Sequence, residues 1–314
     1  MRFEPPVIQE LSGGRLHFQH GPIDIVLQAW GEAGARAAAY AAAAARFRGV
    51  LDELVGELTE LRKPMAERPC VTGPVARRMV AACAPCAEVF VTPMAAVAGA
   101  VADELMATML AAAPLAKAFV NDGGDIAIHL GDGETISVGV AADFSRARDP
   151  EKWAPVFGER SRATNNVPAL SGNVVIRAED RIGGIATSGR QGRSFSLGIA
   201  DSVTVLARDA ASADAAATLV ANAVDIDAPA VTRHPARELD PDSDLGDRLV
   251  TIEVGPLTPL QIAAALAAGR ARAADYLRRG LIVATAMTLQ GVSEVVGGER
   301  WLVRAHSEDN SRCL

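Results

Sequence analysis

Apolar and polar residues alternate on both sides of a break in RLHFQHGPIDIVLQA: Leu16 and Phe18 precede Gly21-Pro22, and Ile23, Ile25 and Leu27 follow it. A period of two predicts a hairpin with one buried face. The period then changes. From about Glu32 to Arg62, Phe47, Leu51, Leu54, Leu58 and Leu61 recur at intervals of four, three, four and three, a helical stripe ended by Pro64. A shorter helix is predicted over 72–84, entered through Thr72 and Pro74. Another runs from Thr92-Pro93, a cap residue followed by proline in the first turn, to about Ala113. Strands are predicted at 118–121, 126–130, 135–140, 173–178, 182–187 and 202–207, before a helix from Ala211 to about Ala223. Strand 248–254, helix 259–279 and strands at 281–289 and 300–304 complete the pattern.

Residues 143–172 and 225–247 are charged or proline-bearing and aperiodic, so a long loop and a plain connection are expected there. Neither has the composition of a flexible tether. Residues 1–305 are therefore read as a single domain, one compact unit, followed by a polar tail at 306–314. Strict strand-helix alternation is missing, which predicts an α+β fold of mixed sheets with packed helices over a doubly wound parallel sheet.

Composition narrows the partners. With 314 residues, 49% of them apolar, the chain can bury a sizeable core. Aromatics are only 4% and alanine is abundant, so that core rests on small side chains and closely packed helices. A formal charge of −7 lacks the electrostatic footprint of a nucleic-acid binder. The segment 93–115 is the nearest thing to a membrane span, yet Asp103 and Glu104 at its centre would each cost about 2.5 kcal/mol or more in a bilayer. No membrane partner is expected. Nor does MRFEPPVIQELSGG resemble a secretory signal, and Cys70, Cys83, Cys86 and Cys313 are too few for a disulfide framework. A cytoplasmic protein is expected.

Three constellations could carry chemistry. In Asn121-Asp122-Gly123-Gly124-Asp125 the glycines let a ligand approach the backbone, and Asn121 and Asp125 offer hydrogen bonds. An ordinary hairpin turn would have the same composition. The loop from Thr187 to Gly198 sets Ser188, Arg190, Arg193, Ser194 and Ser196 around Gly189 and Gly192, and arginines beside successive backbone amides suit a diphosphate. Asp214 and Thr218 stand one helical turn apart, where both could meet a hard cation; taken alone they read more simply as a first-turn acid and a back-bonded hydroxyl. The remaining motifs are weaker. Cys83-Ala-Pro-Cys86 is a lone CxxC that falls short of a zinc site, and His17 and His20 point to opposite faces of a strand.

The order of TPMAAVAGAVAD at 92–103, VNDGGDI at 120–126, TSGRQGRSFSLGIAD at 187–201 and ADAAAT at 213–218 resembles an ApbE-like protein family. Its members are bacterial and archaeal, remote relatives of the magnesium-dependent FAD:protein FMN transferase ApbE. The resemblance spans nearly the whole chain and implies a T-fold-related α+β architecture. It places Ala98, Gly99 and Asp103 on the A-K-G-x-x-x-D element, and Asn121, Gly123, Gly124 and Asp125 on N-x-G-G-D. Thr187, Ser188 and Gly189 fall on T-S-G, and Asp214 and Thr218 on the magnesium-binding pair of A-D-A-x-x-T. It implies a flavin nucleotide, FAD or FMN, with Mg²⁺, and backbone carbonyls of 95–97 completing the cation site. Two departures count against flavin transfer. The lysine is Ala98, and the H-x-x-D-P-x-T-G segment is missing between Gly192 and Val203, so no catalytic residue is assigned. Arg193 cannot replace the histidine as a base. The expected function is thus binding of a small phosphate-bearing ligand without standard FMN transferase activity. An enzyme acting on another metabolite, such as one of sulfur assimilation or homocysteine formation to which relatives are linked, and a non-catalytic assembly protein stay open, as does a homo-oligomer.

Overall fold

A computed structural model describes residues 4–141, 170–192, 194–298 and 302–303. Residues 143–169 of the loop expected over 143–172, Arg193, Cys313 and the polar tail lie outside the described residues, and 170–172 belong to a strand instead. The opening alternation forms β1 (Val7–Leu11), β2 (Arg15–His20) and β3 (Ile23–Trp30), successively antiparallel, with His20 opposite Ile23 at the turn. Strand β1 extends the expected hairpin. It is an edge strand with mostly exposed side chains, so no buried stripe announced it.

The helical stripe becomes α1 (Ala33–Gly56) and a single turn, α2 (Leu58–Leu61), burying Phe47, Leu51, Leu54 and Leu61. Helix α3 (Pro74–Cys83) follows, then a 3-10 turn at Pro93–Ala96 that feeds α4 (Val97–Ala112). Strands β4 (Lys117–Asp122), β5 (Asp125–Leu130), β6 (Thr135–Ala141), β7 (Leu170–Arg177), β8 (Gly184–Ser188) and β9 (Ser202–Ala207) precede α5 (Ala210–Ala223). The presumed connection at 225–247 is in fact structured. It contains β10 (Val231–Pro235) and α6 (Ala236–Leu239), and β10 pairs with β11 (Leu249–Val254) in a two-stranded ribbon whose side chains are largely solvated. Helix α7 (Pro259–Arg278) starts with the reciprocal hydrogen bonds of Thr258 and Gln261, a capping box. A hairpin of β12 (Ala284–Leu289) and β13 (Val292–Val296), then the short β14 (Leu302–Val303), close the described chain.

One antiparallel sheet of nine strands, ordered β1-β2-β3-β4-β5-β8-β9-β12-β13, forms the frame. The twofold period of each strand sorts its side chains between two cores. Ile25, Leu27, Ala118, Val120, Ala127, Ala186, Val203 and Val205 face the helices, whereas Phe119, Ile126, Ile128, Ile185 and Leu206 pack with Ile136, Val138, Val174 and Ile176 of the small β14-β7-β6 sheet. Each large apolar side chain so buried contributes about 1.5–3 kcal/mol.

The apolar stretch Pro93–Ala112 is long and apolar enough to cross a membrane by composition, but its two carboxylates are engaged inside this fold. Glu104 accepts hydrogen bonds from Arg46 at 2.8 Å and Arg78 at 3.0 Å. Asp103 reaches the start of α5. Helices α4 and α5 touch because residue 99 is glycine: a Cβ there would overlap the carbonyl of Ala210.

Candidate functional site

The turn between β4 and β5 is built from Gly123 and Gly124, with φ of 64° and 117°, values open to glycine at little cost. Asn121 Oδ1 accepts from the Gly124 amide at 2.8 Å, so this side chain holds the turn. Asp122 and Asp125 stand opposite each other across the two strands and share a face. The β8 strand lies alongside β5, and the Thr187 amide donates to Asp125 Oδ1 at 3.3 Å.

Strand period divides the residues of T-S-G. Thr187 points away from the helices and meets Thr204 Oγ1 at 2.9 Å. Ser188 points toward them, where the Thr218 hydroxyl of α5 donates to its Oγ at 3.5 Å. One turn earlier on α5, Asp214 Oδ2 accepts from the Gly99 amide at 3.0 Å. Burial drives the Asp214 carboxyl well above the usual range; Asp125 and then Asp122 push it further, against amide hydrogen bonds from Gly99 and Ala98. Thus Asp122, Asp125, Ser188, Asp214 and Thr218 gather on the helix side of the sheet. Asp122 had no place among the sequence candidates. The Asn-Asp-Gly-Gly spelling contains it, but only the cross-strand register assigns its face.

The first turn of α5 has no free amides for an anion. Asp209 caps Ser212 N at 2.7 Å, and Asp103 takes Ala210 N and Ala211 N at 3.0 and 2.9 Å. Burial pushes the Asp103 carboxyl up to about 7 despite those amides. The Ala98-Gly99-x-x-x-Asp103 spacing therefore ties α4 to α5: Ala98 and Gly99 hold Asp214, and Asp103 holds the helix start.

The rest of the polar loop is pinned rather than open. Arg190 pairs with Asp201 at 2.5 Å, and Asp201 Oδ2 also accepts from the Gln290 amide. Ser194 is exposed. Ser196 does not join the acidic group: its buried hydroxyl donates to the Gly198 carbonyl, and its own carbonyl accepts from Thr251 N. Cys83 and Cys86 are buried free thiols; burial raises both, and the Cys83 thiol donates to the Thr92 carbonyl, so neither suits redox chemistry. His17 pairs with Asp24 at 2.8 Å whereas His20 is buried against Phe47, on opposite faces as expected.

Among the described residues, no three His, Cys, Asp or Glu side chains converge as a ready metal cage. An all-oxygen set of one helix carboxylate, a hydroxyl one turn away and neighbouring acids fits a hard cation that completes its shell with phosphate oxygens and water, as Mg²⁺ does.

The family described as AbpE bacteria matches residues 8–295. A UPF0280 protein of Methanopyrus kandleri is 32% identical over 164 residues, 52% of this chain and 56% of its own length. Another UPF0280 protein, from Methanothrix thermoacetophila, is 37% identical over 155 residues, 49% of this chain and 54% of its own. The chain thus spans little more than half the length of these curated relatives. The solved ApbE protein of Thermotoga maritima aligns at 15% identity with a TM-score of 0.37, covering 93% of this chain and 96% of that one.

Proposed function

The chain belongs to the family described as AbpE bacteria, and from that premise we propose that it binds a flavin nucleotide, FAD or FMN, together with Mg²⁺. The site is the space between the Asn121 turn and the Thr187 loop. One observation carries the reading: the Asp214 carboxylate, buried and facing the charges of Asp125 and Asp122, stands one turn from Thr218, whose hydroxyl meets Ser188. Such a group needs either protons or a cation.

Asp214 and Thr218 would hold the ion, and backbone carbonyls of 95–97 complete its shell. Bound there, Mg²⁺ would neutralise phosphate charge and fix phosphate oxygens. The chain's own groups orient the rest. The Gly99 and Ala98 amides hold the Asp214 carboxyl in one position, and the Asn121–Gly124 bond keeps the glycine backbone open to the ligand.

Flavin transfer to a protein is not part of this function. Ala98 supplies no basic side chain, and the stretch from Gly192 to Val203 contains no histidine to take a proton from an acceptor hydroxyl. Among the described residues Cys70, Cys83 and Cys86 are free thiols, which supports a reducing, cytoplasmic setting.

Calorimetry with FAD and FMN, with and without Mg²⁺, tests the proposal. Binding should require Mg²⁺ and weaken at least about 100-fold in a folded Asp214→Ala variant. Absence of flavin and Mg²⁺ binding up to the millimolar range overturns it, as does binding indifferent to Asp214.

A further inference from the structure

Strands β5 and β8 have a second end, and it is basic. An open cavity of about 220 Å³ there is lined by Arg177, Arg181, Arg208 and His129 along with apolar and glycine positions, and among the described residues no aspartate or glutamate lines it. We propose that this cavity binds the phosphate group of a small anionic metabolite, as a site separate from the acidic one.

The three arginines come from three separate places: the end of β7, the residue after the 3-10 turn Ala178–Asp180, and the residue after β9. In a chain of net charge −7, three exposed guanidinium groups around one cavity concentrate positive potential where a counter-anion can enter. Planar guanidinium forks suit phosphate oxygens by paired hydrogen bonds. A cavity of this size takes a phosphate with a small substituent rather than a larger ligand.

The backbone around the cavity is constrained in two places. Arg181 has φ 53° and ψ 36°, the left-handed region where glycine or asparagine is the usual occupant. It is held there by the hydrogen bond that its amide donates to the Ala178 carbonyl, while Asp180 anchors the turn by accepting from Arg177 N at 2.9 Å. An arginine kept in a glycine conformation at the lip of a cavity is the local cost that points to use. At the opposite wall, Gly183 and Gly184 let β8 lie flush against the Arg208–Asp209 backbone, where a Cβ would overlap it. Arg208 is thereby fixed beside the start of β8. Along β5, roughly 10–16 Å separate Asp125 from the cavity residues 128–130. The two sites are distinct.

Calorimetry with inorganic pyrophosphate and with a sugar phosphate, in EDTA so that no divalent cation contributes, tests the proposal on the full chain. Binding is expected, weaker by about tenfold or more in Arg208→Ala and in Arg181→Gly, with Mg²⁺-dependent flavin binding unaltered in both. Citrate should bind more weakly than pyrophosphate. Arg181→Gly has its own readout: relief of the left-handed backbone should raise Tm by about 2 °C, so its lost affinity cannot be ascribed to misfolding. No phosphate binding up to the millimolar range, binding indifferent to both arginines, or a preference for citrate overturns it. Failure of flavin binding alone does not bear on this site, because the titration contains neither flavin nor magnesium.

Discussion

Strands β5 and β8 run only a few residues between two unlike ends. At one, Asp122, Asp125 and Asp214 sit under α4 and α5, and burial, then the charges of Asp125 and Asp122, raise the Asp214 carboxyl. At the other, Arg177, Arg181 and Arg208 surround an open cavity, with their side chains in water. Charge at the first end is coupled to folding because it is covered by helices. Charge at the second is nearly free of the fold, since exposed groups are solvated in both folded and unfolded states. The start of α5 belongs to both ends, touching Gly99 of α4 on one side and Gly184 of β8 on the other.

The largest expected effect follows from that shared helix start. Gly99→Ala or Gly184→Ala would force a methyl into the backbone of residues 209–211, and each should cost about 3 kcal/mol in urea unfolding. An unchanged midpoint in either variant would show that α5 can shift, and the two ends would then be independent.

Next comes pH. Asp103 is raised to about 7 in the folded protein and titrates near 3.9 when unfolded, so the native state binds more protons between those values. Its contribution to stability is present below the unfolded value and is lost as pH rises through that window; Asp214 adds in the same direction. Without divalent cations the unfolding free energy from urea titration should be higher at pH 5 than at pH 8, by about 2 kcal/mol. At the proposed cation site, magnesium should reverse the trend, because the ion would compete with the Asp214 proton and bind better as pH rises. A flat profile without magnesium would mean that the acidic end is not coupled to folding.

Asp214→Asn keeps a carbonyl oxygen for the Gly99 amide and removes one like charge. It should stabilise the cation-free protein by about 1 kcal/mol. The smallest effect is reserved for the basic end: Arg208→Ala should leave stability within about 0.5 kcal/mol while weakening phosphate binding. A larger loss of stability would make Arg208 part of the packing and erase the contrast between the ends.

Much of the frame could be read from residue order. The stripe through Phe47, Leu51, Leu54, Leu58 and Leu61, the Thr92-Pro93 entry, and the alternation at 16–27 each name their element, because caps and a buried face leave a local trace. Strands β1, β10 and β13 left little trace. VIQEL, VTRHP and VSEVV are mostly solvated, so no continuous apolar stripe reports them.

The candidate site was legible by spelling and incomplete in space. Residue types and spacing by themselves determined the Asn-x-Gly-Gly-Asp turn and the Asp214–Thr218 pair on one helix face, since each depends on local geometry within a turn or two, whereas the Gly99–Asp103 pair came from the family resemblance. Only the tertiary structure decided that Asp122 joins the acidic group, that Ser188 faces the helices while Thr187 does not, that Ser196 bonds within its own loop, and that Arg177, Arg181 and Arg208 share one cavity. Those facts depend on cross-strand register and on which ends of distant strands meet, and local sequence spacing does not encode either.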